Sequence, residues 1–216
     1  MAIITLRPSS DVTLNHSCSS GSSGYAMIGE SSADDASTYI YQSVSGTSSA
    51  TVTSTFNLGG TLPTGSFKII SATLYVRAAS SGSGTYSGTY KLSTDSSASS
   101  MSLSTSFQTS STTATAASLI GETYTSSDFP ALTITISTNG NKSSSKDSNF
   151  QVRVTQAYLE LEYEEVIVEE GNQIYIKENG RWVEYSEVYK KINGTWVLQS
   201  DLTTVFNTDA TYEKGN

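Results

Sequence analysis

The chain has 216 residues, of which 36% are hydrophobic and 15% charged, and its formal net charge at pH 7 is −8. This acidic balance argues against a nucleic-acid-binding protein, because no basic stripe is present to displace the counterions of the phosphates. No apolar run is long enough to cross a bilayer, and the first residues do not read as a secretion signal. The one cysteine, Cys18, excludes an internal disulfide. We therefore expect a protein that folds in a cytoplasm, binds no nucleic acid and does not insert into a membrane.

The composition changes near residue 150. Serine is abundant before this position and rare after it, while the charged residues are concentrated after it. A serine-rich, weakly charged chain is either disordered or a β-protein with hydroxyl groups on its outer faces. The 13 tyrosines, many of them in alternating runs, favour the β-protein. The change in composition predicts two domains, 1–165 and 166–216.

The first domain contains short runs in which apolar and hydroxyl side chains alternate. In "ALTITIST", Leu132, Ile134 and Ile136 lie on one face of an extended strand and the threonines lie on the other. This period of two is typical of a strand with one buried face. Further strands are expected at 25–30, 38–44, 51–58 and 88–94.

Two longer runs change the parity of their apolar residues midway. The apolar positions shift from odd to even between Ile69 and Ile70, and from even to odd between Val154 and Ala157. One extra residue that moves the apolar side chains to the other face is the signature of a β-bulge or of a bend between sheets. Together with the frequent turn signals, these runs predict an all-β fold, an antiparallel β-sandwich of jelly-roll-like type.

The second domain repeats a short motif after 14 residues. Each copy has an Asn-Gly pair, at 179–180 and at 193–194, which favours a β-hairpin with a two-residue loop. Such a loop places Lys177 opposite Trp182 and Lys191 opposite Trp196, where the ammonium stem can lie over the indole ring. We predict a small β-hairpin repeat module that binds another subunit or surface through Tyr175, Lys177, Trp182, Tyr189, Lys191 and Trp196.

Several stretches resemble one class of proteins. The opening segment 6–42, "SATLYVRA" at 71–78 and "FQVRVTQAYLELEY" at 150–163 resemble β-sandwich virion proteins of tailed bacteriophages and of prophages of Gram-positive bacteria. The segment "VYKKINGTWVLQSDLTTVF" at 188–206 is similar to the Asn-Gly-Trp repeats near the C-termini of such structural and tail proteins. The resemblance implies a virion component, made in the cytoplasm of the host bacterium, that contacts other virion proteins and forms a homo-oligomer.

The resemblance leaves three roles open. The first is a protein of the tail or of a fibre that mediates attachment and display, including contact with host-surface glycans. The second is a capsid decoration or head-fibre protein. The third, from another class, is a carbohydrate-binding module. All three are non-enzymatic.

The acidic segment "GESSADDAS" is the best candidate for a metal site. Glu30, Asp34 and Asp35 offer carboxylate oxygens, the ligands that Ca²⁺ prefers, although the spacing of an EF-hand is absent. The alternative is a solvated loop in which an aspartate caps a turn. His16 and Cys18 are soft ligands, but the chain has no other His or Cys to complete a zinc site. For this pair we expect an ordinary loop, so that Ca²⁺ is the one cofactor to consider.

Catalytic signatures are weak in this sequence. The single histidine and the lack of a G-x-S-x-G elbow argue against a serine nucleophile. A glycosidase needs two carboxylates in one cleft, and nothing in the sequence brings Glu30, Asp95 and Glu122 together. We therefore predict that the protein is not an enzyme.

Tyrosines between glycine and serine are candidates for contact with sugars. Tyr86 and Tyr90 lie in such a stretch, and tyrosine gives a large contact area at low entropic cost. The alternative is that these rings belong to the core of the sandwich, since tyrosine also suits a half-buried pleated surface.

Overall fold

The computed structural model of the protein describes residues 1–35, 37–44, 49–82, 85–113, 119–141, 150–166, 174–178, 181–185, 189–192 and 195–198. In residues 1–166 these segments form eleven strands and one short helix. The elements are β1 (Ala2–Thr13), β2 (Ser17–Cys18), α1 (Gly24–Ile28), β3 (Ile40–Val44), β4 (Ser49–Gly59), β5 (Ser66–Ser81), β6 (Thr85–Leu92), β7 (Ser99–Ser100), β8 (Gln108–Thr113), β9 (Thr123–Tyr124), β10 (Thr133–Asn141) and β11 (Phe150–Val166). Four more strands follow, β12 (Ile174–Glu178), β13 (Arg181–Tyr185), β14 (Tyr189–Ile192) and β15 (Thr195–Leu198).

The eleven strands of residues 1–166 pair antiparallel throughout. One layer is built around β11, which pairs with β5 along one edge and with β3 and the start of β1 along the other. The second layer has the order β1–β4–β10–β6–β7. The prediction of an all-β antiparallel fold is confirmed.

Strand β1 belongs to both layers. Its residues 2–6 pair with β11, whereas its residues 7–13 pair with β4, and the register shifts twice in this second part. Because one strand changes partner midway, the two layers form a single hydrogen-bonded system of eleven strands. Such a strand fixes the position of one layer relative to the other.

The two layers bury their facing sides in one hydrophobic cluster. Each strand contributes alternate residues to the core, and most of the hydroxyl and charged side chains lie outside, with Ser54, Thr138 and Asp95 among the buried exceptions. Fully buried members are Phe56, Leu92, Ile134 and Ile136 from the β4–β10 layer, and Leu74, Val76, Val154, Ala157, Leu159 and Leu161 from the β5–β11 layer. A common core between two sheets is the arrangement of a β-sandwich.

The predicted parity shifts are β-bulges. Opposite β11, Ser71 and Ile69 face consecutive residues, which leaves Ile70 as an extra residue in β5. In β11 the extra residue is Thr155, since Val154 and Gln156 face consecutive residues of β5. Each bulge moves the apolar side chains that follow it to the side of the core.

The strand predicted at 25–30 is wrong, because this segment contains helix α1. The carboxylate of Asp11 accepts hydrogen bonds from the backbone N–H groups of Gly24 and Tyr25, at 3.0 and 2.7 Å. These are two of the donors that the first turn of a helix leaves unpaired. Met27 and Ile28 then point into the core. The capping group comes from another part of the chain, and no local pattern reports it.

The second unit of the chain comprises residues 167–216, so that the boundary lies one residue from the predicted one. In its described part, β12 pairs with β13 and β14 pairs with β15, both antiparallel. Lys177 is opposite Trp182 and Lys191 is opposite Trp196, the pairing that two-residue loops require. The Asn-Gly pairs themselves lie outside the described residues, and the role of the module stays a prediction.

Candidate binding surface

The outer face of the β5–β11 layer carries three arginines, Arg7, Arg77 and Arg153. Each guanidinium lies over an aromatic ring, at 5.0, 5.9 and 4.9 Å from the ring centroid respectively. In β5 and β11 the arginine stands between buried residues and therefore points away from the core. Cations over aromatic faces are favourable contacts that also hold both side chains in place.

Arg7 ends a stack of side chains that crosses three strands. Its guanidinium lies over Tyr158, and Tyr158 stacks on its cross-strand partner Tyr75, with ring centroids 4.8 Å apart and planes 13° apart. Arg7 also donates to the backbone carbonyl of Glu30 at 2.6 Å. Burial, followed by the nearby Glu160 carboxylate, raises the pKa of both tyrosines. The stack is thus a rigid part of the face, with its cation already satisfied.

Arg77 is neutralised by Asp35. Its Nε and Nη2 atoms donate to the two carboxylate oxygens at 2.6 and 2.7 Å, which is the bidentate geometry of a strong ion pair. The hydrogen bond from Arg77 holds the pKa of Asp35 below its usual range. Asp35 has a positive φ of 52°, a backbone conformation that aspartate tolerates better than most residues.

The crossing segment, residues 30–35 and 37–39, lies on this outer face, and four side chains of the layer donate hydrogen bonds to it. Besides Arg7 and Arg77, Gln156 donates to the carbonyl of Glu30 at 3.0 Å and Thr155 donates to the carbonyl of Thr38 at 2.9 Å. Thr155 is the bulge residue of β11 and Gln156 follows it. The bulge in β11 changes the parity of the strand, and it also directs the buried hydroxyl of Thr155 toward the crossing segment.

The three predicted calcium ligands lie in the crossing segment but do not all face one point. The Thr38 side chain lies 2.8 Å from Glu30 Oε1 and 2.9 Å from Asp34 Oδ1, so that these two carboxylates converge on one hydroxyl. Asp35 instead pairs with Arg77. Among the described residues, no group of three or more His, Cys, Asp or Glu is placed to hold a metal ion. The calcium hypothesis stays a prediction without support from this geometry.

His16 lies in the loop between β1 and β2, as predicted, but its side chain is buried. The residue follows β1 in a bend, yet it is only 4% exposed. Its Nδ1 and Nε2 atoms lie 2.8 Å from Ser54 Oγ and 2.9 Å from Thr138 Oγ1. Cys18 is partly exposed, and burial, followed by the charge of Asp11, raises the pKa of its thiol. Both ring nitrogens of His16 are hydrogen-bonded to side chains of the fold, those of Ser54 and Thr138.

The two tyrosines proposed to contact sugars lie on β6. Tyr90 is 1% exposed and belongs to the hydrophobic cluster, so the alternative of a core residue is correct for it and the glycan contact is wrong. Burial also raises the pKa of Tyr90. Tyr86 is partly exposed, and its contact with sugars stays a prediction. Among the described residues, the rings that lie under guanidinium groups are Tyr39, Phe107 and Tyr158, on the side of the β5–β11 layer.

The carboxylates considered for catalysis lie in separate parts of the fold. Glu30 is in the crossing segment, Asp95 follows β6 and Glu122 precedes β9. Asp95 is buried and accepts a hydrogen bond from the backbone of Leu92 at 3.1 Å, whereas Glu122 is exposed. No described contact joins the three residues, and the prediction that the protein is not an enzyme stays a prediction.

The outer face of the β4–β10 layer is different in character. Hydroxyl side chains pair across the two strands, with 2.9 Å between Thr53 Oγ1 and Ser137 Oγ and 3.2 Å between Thr55 Oγ1 and Thr135 Oγ1. These hydroxyls satisfy one another along the sheet. The two outer faces of the sandwich thus have different chemistry, one hydroxyl-rich and one with aromatic rings and arginines.

Comparison of the chain with models of protein families, with curated proteins and with solved structures found no significant match. Among the described residues, the one helix has five residues and is too short to span a membrane. The resemblance to virion proteins therefore stays a prediction from the sequence.

Sequence reasoning did not single out the arginines of the outer face. The signal was present, because Arg77 in "LYVRA" and Arg153 in "FQVRV" stand at positions of outward parity between buried residues. A strand residue of outward parity that is both cationic and able to stack on a ring is a candidate for recognition. The partners of these arginines come from distant parts of the chain and could not be read from spacing.

Proposed function

We propose that the protein is a non-enzymatic structural protein of a bacteriophage virion, associated with the tail or with a fibre. In this proposal the first unit is displayed and the second unit attaches it to the particle. The observation that carries the proposal is the division of the chain into two units, the second of which repeats one Lys–Trp cross-strand pairing in two antiparallel strand pairs.

The repeat supports attachment through the second unit. A single two-stranded hairpin is marginally stable in water, and further packing is needed to hold it. Two copies with the same paired Lys and Trp positions offer two equivalent contacts, and two linked contacts bind more tightly than either alone. We propose that Tyr175, Lys177, Trp182, Tyr189, Lys191 and Trp196 contact other virion proteins or further copies of this chain in a homo-oligomer.

The outer face of the β5–β11 layer supports display by the first unit. Arginines and tyrosines that are held in fixed positions and partly exposed are enriched where proteins bind partners. On a tail or fibre this face would meet the surface of the host bacterium. We propose that this face binds a host-surface glycan.

Two alternatives differ in where the protein acts. As a capsid decoration or head-fibre protein, it would attach to the head of the particle through the second unit and display the first unit there. As a carbohydrate-binding module it would act away from a particle, and the aromatic and arginine side chains of the outer face favour this role equally.

Immunogold labelling and quantitative mass spectrometry of gradient-purified particles test the proposal. We expect the protein in the particles at a fixed ratio to the major capsid protein, with gold on the tail or fibres. Gold on the head would select the capsid-decoration alternative. Absence from particles, with all of the protein in the free fraction, would reject a virion role and leave the carbohydrate-binding module.

A further inference from the structure

One part of the outer face combines aromatic rings, a guanidinium and exposed polar groups. We call it the Arg153 patch. Ser17, Tyr41 and Arg153 are register partners in one row across β2, β3 and β11, and Ser43 and Gln151 are partners in the next row. Tyr39 precedes β3, and its ring lies under the Arg153 guanidinium. The patch consists of Ser17, Tyr39, Tyr41, Ser43, Gln151 and Arg153.

Contacts within the patch hold Arg153 in one orientation. Its Nε donates to Gln151 Oε1 at 2.8 Å, and its guanidinium lies 4.9 Å from the centroid of Tyr39. Tyr41 packs against Tyr39 edge to face, with centroids 5.8 Å apart. An arginine fixed by a ring and by an amide loses little further freedom when it binds a ligand.

Arg153 differs from the other two arginines of this face in the hydrogen-bond partners of its Nη atoms. Asp35 neutralises Arg77 through a bidentate ion pair, and the backbone carbonyl of Glu30 accepts from Arg7 at 2.6 Å. Arg153 has no carboxylate partner among the residues that the structure describes. Within this part of the chain, its Nη atoms have no hydrogen-bond acceptor either. They are therefore donors available to an anion.

We infer that the Arg153 patch binds a saccharide that bears an anionic substituent, either a carboxylate or a phosphate. The Nη donors of Arg153 take the anionic group, because the planar fork of arginine matches both of these groups. The partly exposed ring of Tyr41 provides a surface on which a sugar ring packs. The exposed hydroxyls of Ser17 and Ser43 and the amide of Gln151 are placed to bond sugar hydroxyls.

The dimensions of the patch favour a short saccharide. Its rows cross the strands β2, β3 and β11, which are about 4.8 Å apart, so that the patch is about 10–15 Å wide with its side chains. This width suits one or two sugar rings. The inference deepens the proposed contact with a host-surface glycan and rests on that function for its biological setting, but its test uses the purified protein alone.

Isothermal titration of the full chain tests the inference with three oligosaccharide probes of equal length. These are an oligomer of uronic acid, an oligomer of glycerol phosphate that carries sugar, and a neutral glucose oligomer. We expect at least one anionic probe to bind at least about tenfold more tightly than the neutral one, as a charge-assisted hydrogen bond implies. Binding of the first probe alone identifies a carboxylate, and binding of the second alone identifies a phosphate.

Substitutions locate the site. Arg153→Gln should weaken binding of the preferred probe by about tenfold or more, whereas Lys91→Gln, which removes the same charge from the other outer face, should leave it unchanged. Arg153→Lys keeps the charge and loses the planar fork, so that we expect a loss of about threefold to tenfold. If circular dichroism shows that Arg153→Gln does not fold, the binding affinity of Arg153→Lys tests the inference instead.

Three results would overturn the inference. They are equal binding of the neutral and anionic probes, no binding of any probe, and full binding by the folded Arg153 variants. None of them bears on the virion role, which is read from the presence of the protein in particles. Failure of binding with the protein still on particles removes the inference alone.

Discussion

At the scale of single residues, the hydrogen bonds around His16 define its protonation state. Thr138 donates its hydroxyl proton to Gln42 at 2.7 Å, so that its oxygen accepts from His16 Nε2. Ser54 Oγ accepts the backbone N–H groups of Asn15 and His16, and its own proton is left for Nδ1. The ring is therefore neutral, with its proton on Nε2. A second proton at Nδ1 would face a hydroxyl whose lone pairs are both in use.

This arrangement predicts a loss of stability in mild acid. Burial lowers the pKa of His16 from 6.5 to about 4 in the folded protein. Between these values the unfolded chain binds the proton and the folded chain does not, so that stability is complete above pH 6.5 and falls as the pH decreases toward 4. The free energy of unfolding, measured by urea titration, should fall by up to about 3 kcal/mol over this range.

The variant His16→Gln provides the control. It keeps polar atoms near Ser54 and Thr138 but has no group that titrates in this range. Between pH 7 and pH 5 its free energy of unfolding should change less than that of the wild type. Equal slopes for the two proteins over this interval would show that His16 is not the group responsible.

Two glycines test how tightly the backbone is packed. A Cβ at Gly29 would lie 2.5 Å from the carbonyl oxygen of Pro8 and 2.8 Å from that of Tyr25, both of them backbone atoms. A Cβ at Gly88 would instead meet the end of the flexible Met101 side chain, at 2.9 Å. We expect Gly29→Ala to lower the free energy of unfolding by about 1–3 kcal/mol, and Gly88→Ala by less than about 1 kcal/mol.

Chemical denaturation of both variants at pH 7 measures this difference. The same substitution is made at both sites, so that the added group is one methyl in each case and its surroundings differ. A cost at Gly29 no larger than the cost at Gly88 would contradict the close approach of Pro8.

At the scale of the elements, the strands could be predicted from sequence because their cause is local. The alternation of Leu132, Ile134 and Ile136 and the parity shifts near Ile70 and Thr155 are visible within a few residues, and the structure confirms them. Helix α1 could not be predicted in this way, because Asp11 caps it from a different strand. The tertiary contact decided between two conformations that the local sequence allowed.

The bulge at Ile70 compensates a change of parity in the sequence of β5. Deletion of Ile70 would make Ile69 and Ser71 neighbours opposite the consecutive residues Tyr163 and Glu162, so that the strand becomes regular and Phe67 and Ile69 stay on the side of the core. This should cost about 1–2 kcal/mol, because only the partly buried side chain of Ile70 is lost. We expect the deletion variant to retain a cooperative thermal transition in circular dichroism.

The matched control is Ile70→Ala, which keeps the residue count. Because Ile70 is only partly buried, this substitution should cost about 1 kcal/mol and retain a cooperative transition. Loss of the cooperative transition in the deletion variant, with Ile70→Ala still cooperative, would contradict this register of β5 and β11.

The candidate binding surface was less predictable than the strands. Residues of the crossing segment were expected to act together as carboxylates, yet Asp35 pairs with Arg77, which is 42 positions away in the chain. Tyr90 was considered for sugar contact, but its parity on β6 places it in the core. Parity reports which face a side chain is on, whereas its partners depend on how the strands are ordered in the sheet.

At the scale of the whole molecule, the two units can be followed with different signals. The only tryptophans are Trp182 and Trp196, both in residues 167–216, so that tryptophan fluorescence reports the second unit alone. Far-ultraviolet circular dichroism is dominated by the eleven strands of residues 1–166. Because each unit is compact by itself, we expect the two signals to give different midpoints in a guanidinium titration.

Urea in place of guanidinium provides a control for this experiment, because it leaves ionic interactions unscreened. The order of the two midpoints should be the same in both denaturants. Coincident transitions in both would mean that the chain unfolds as one cooperative unit.

The central claim is that the second unit attaches the protein to the particle and that the first unit is displayed on it. The most direct measurement is the amount of protein in purified particles for two full-length double variants. Trp182→Ala/Trp196→Ala should reduce incorporation by about tenfold or more, a loss equivalent to about 1.4 kcal/mol in binding. Tyr39→Ala/Arg153→Gln should be incorporated like the wild type. Normal incorporation of the tryptophan variant, or loss of incorporation with the Tyr39 and Arg153 variant, would contradict the account.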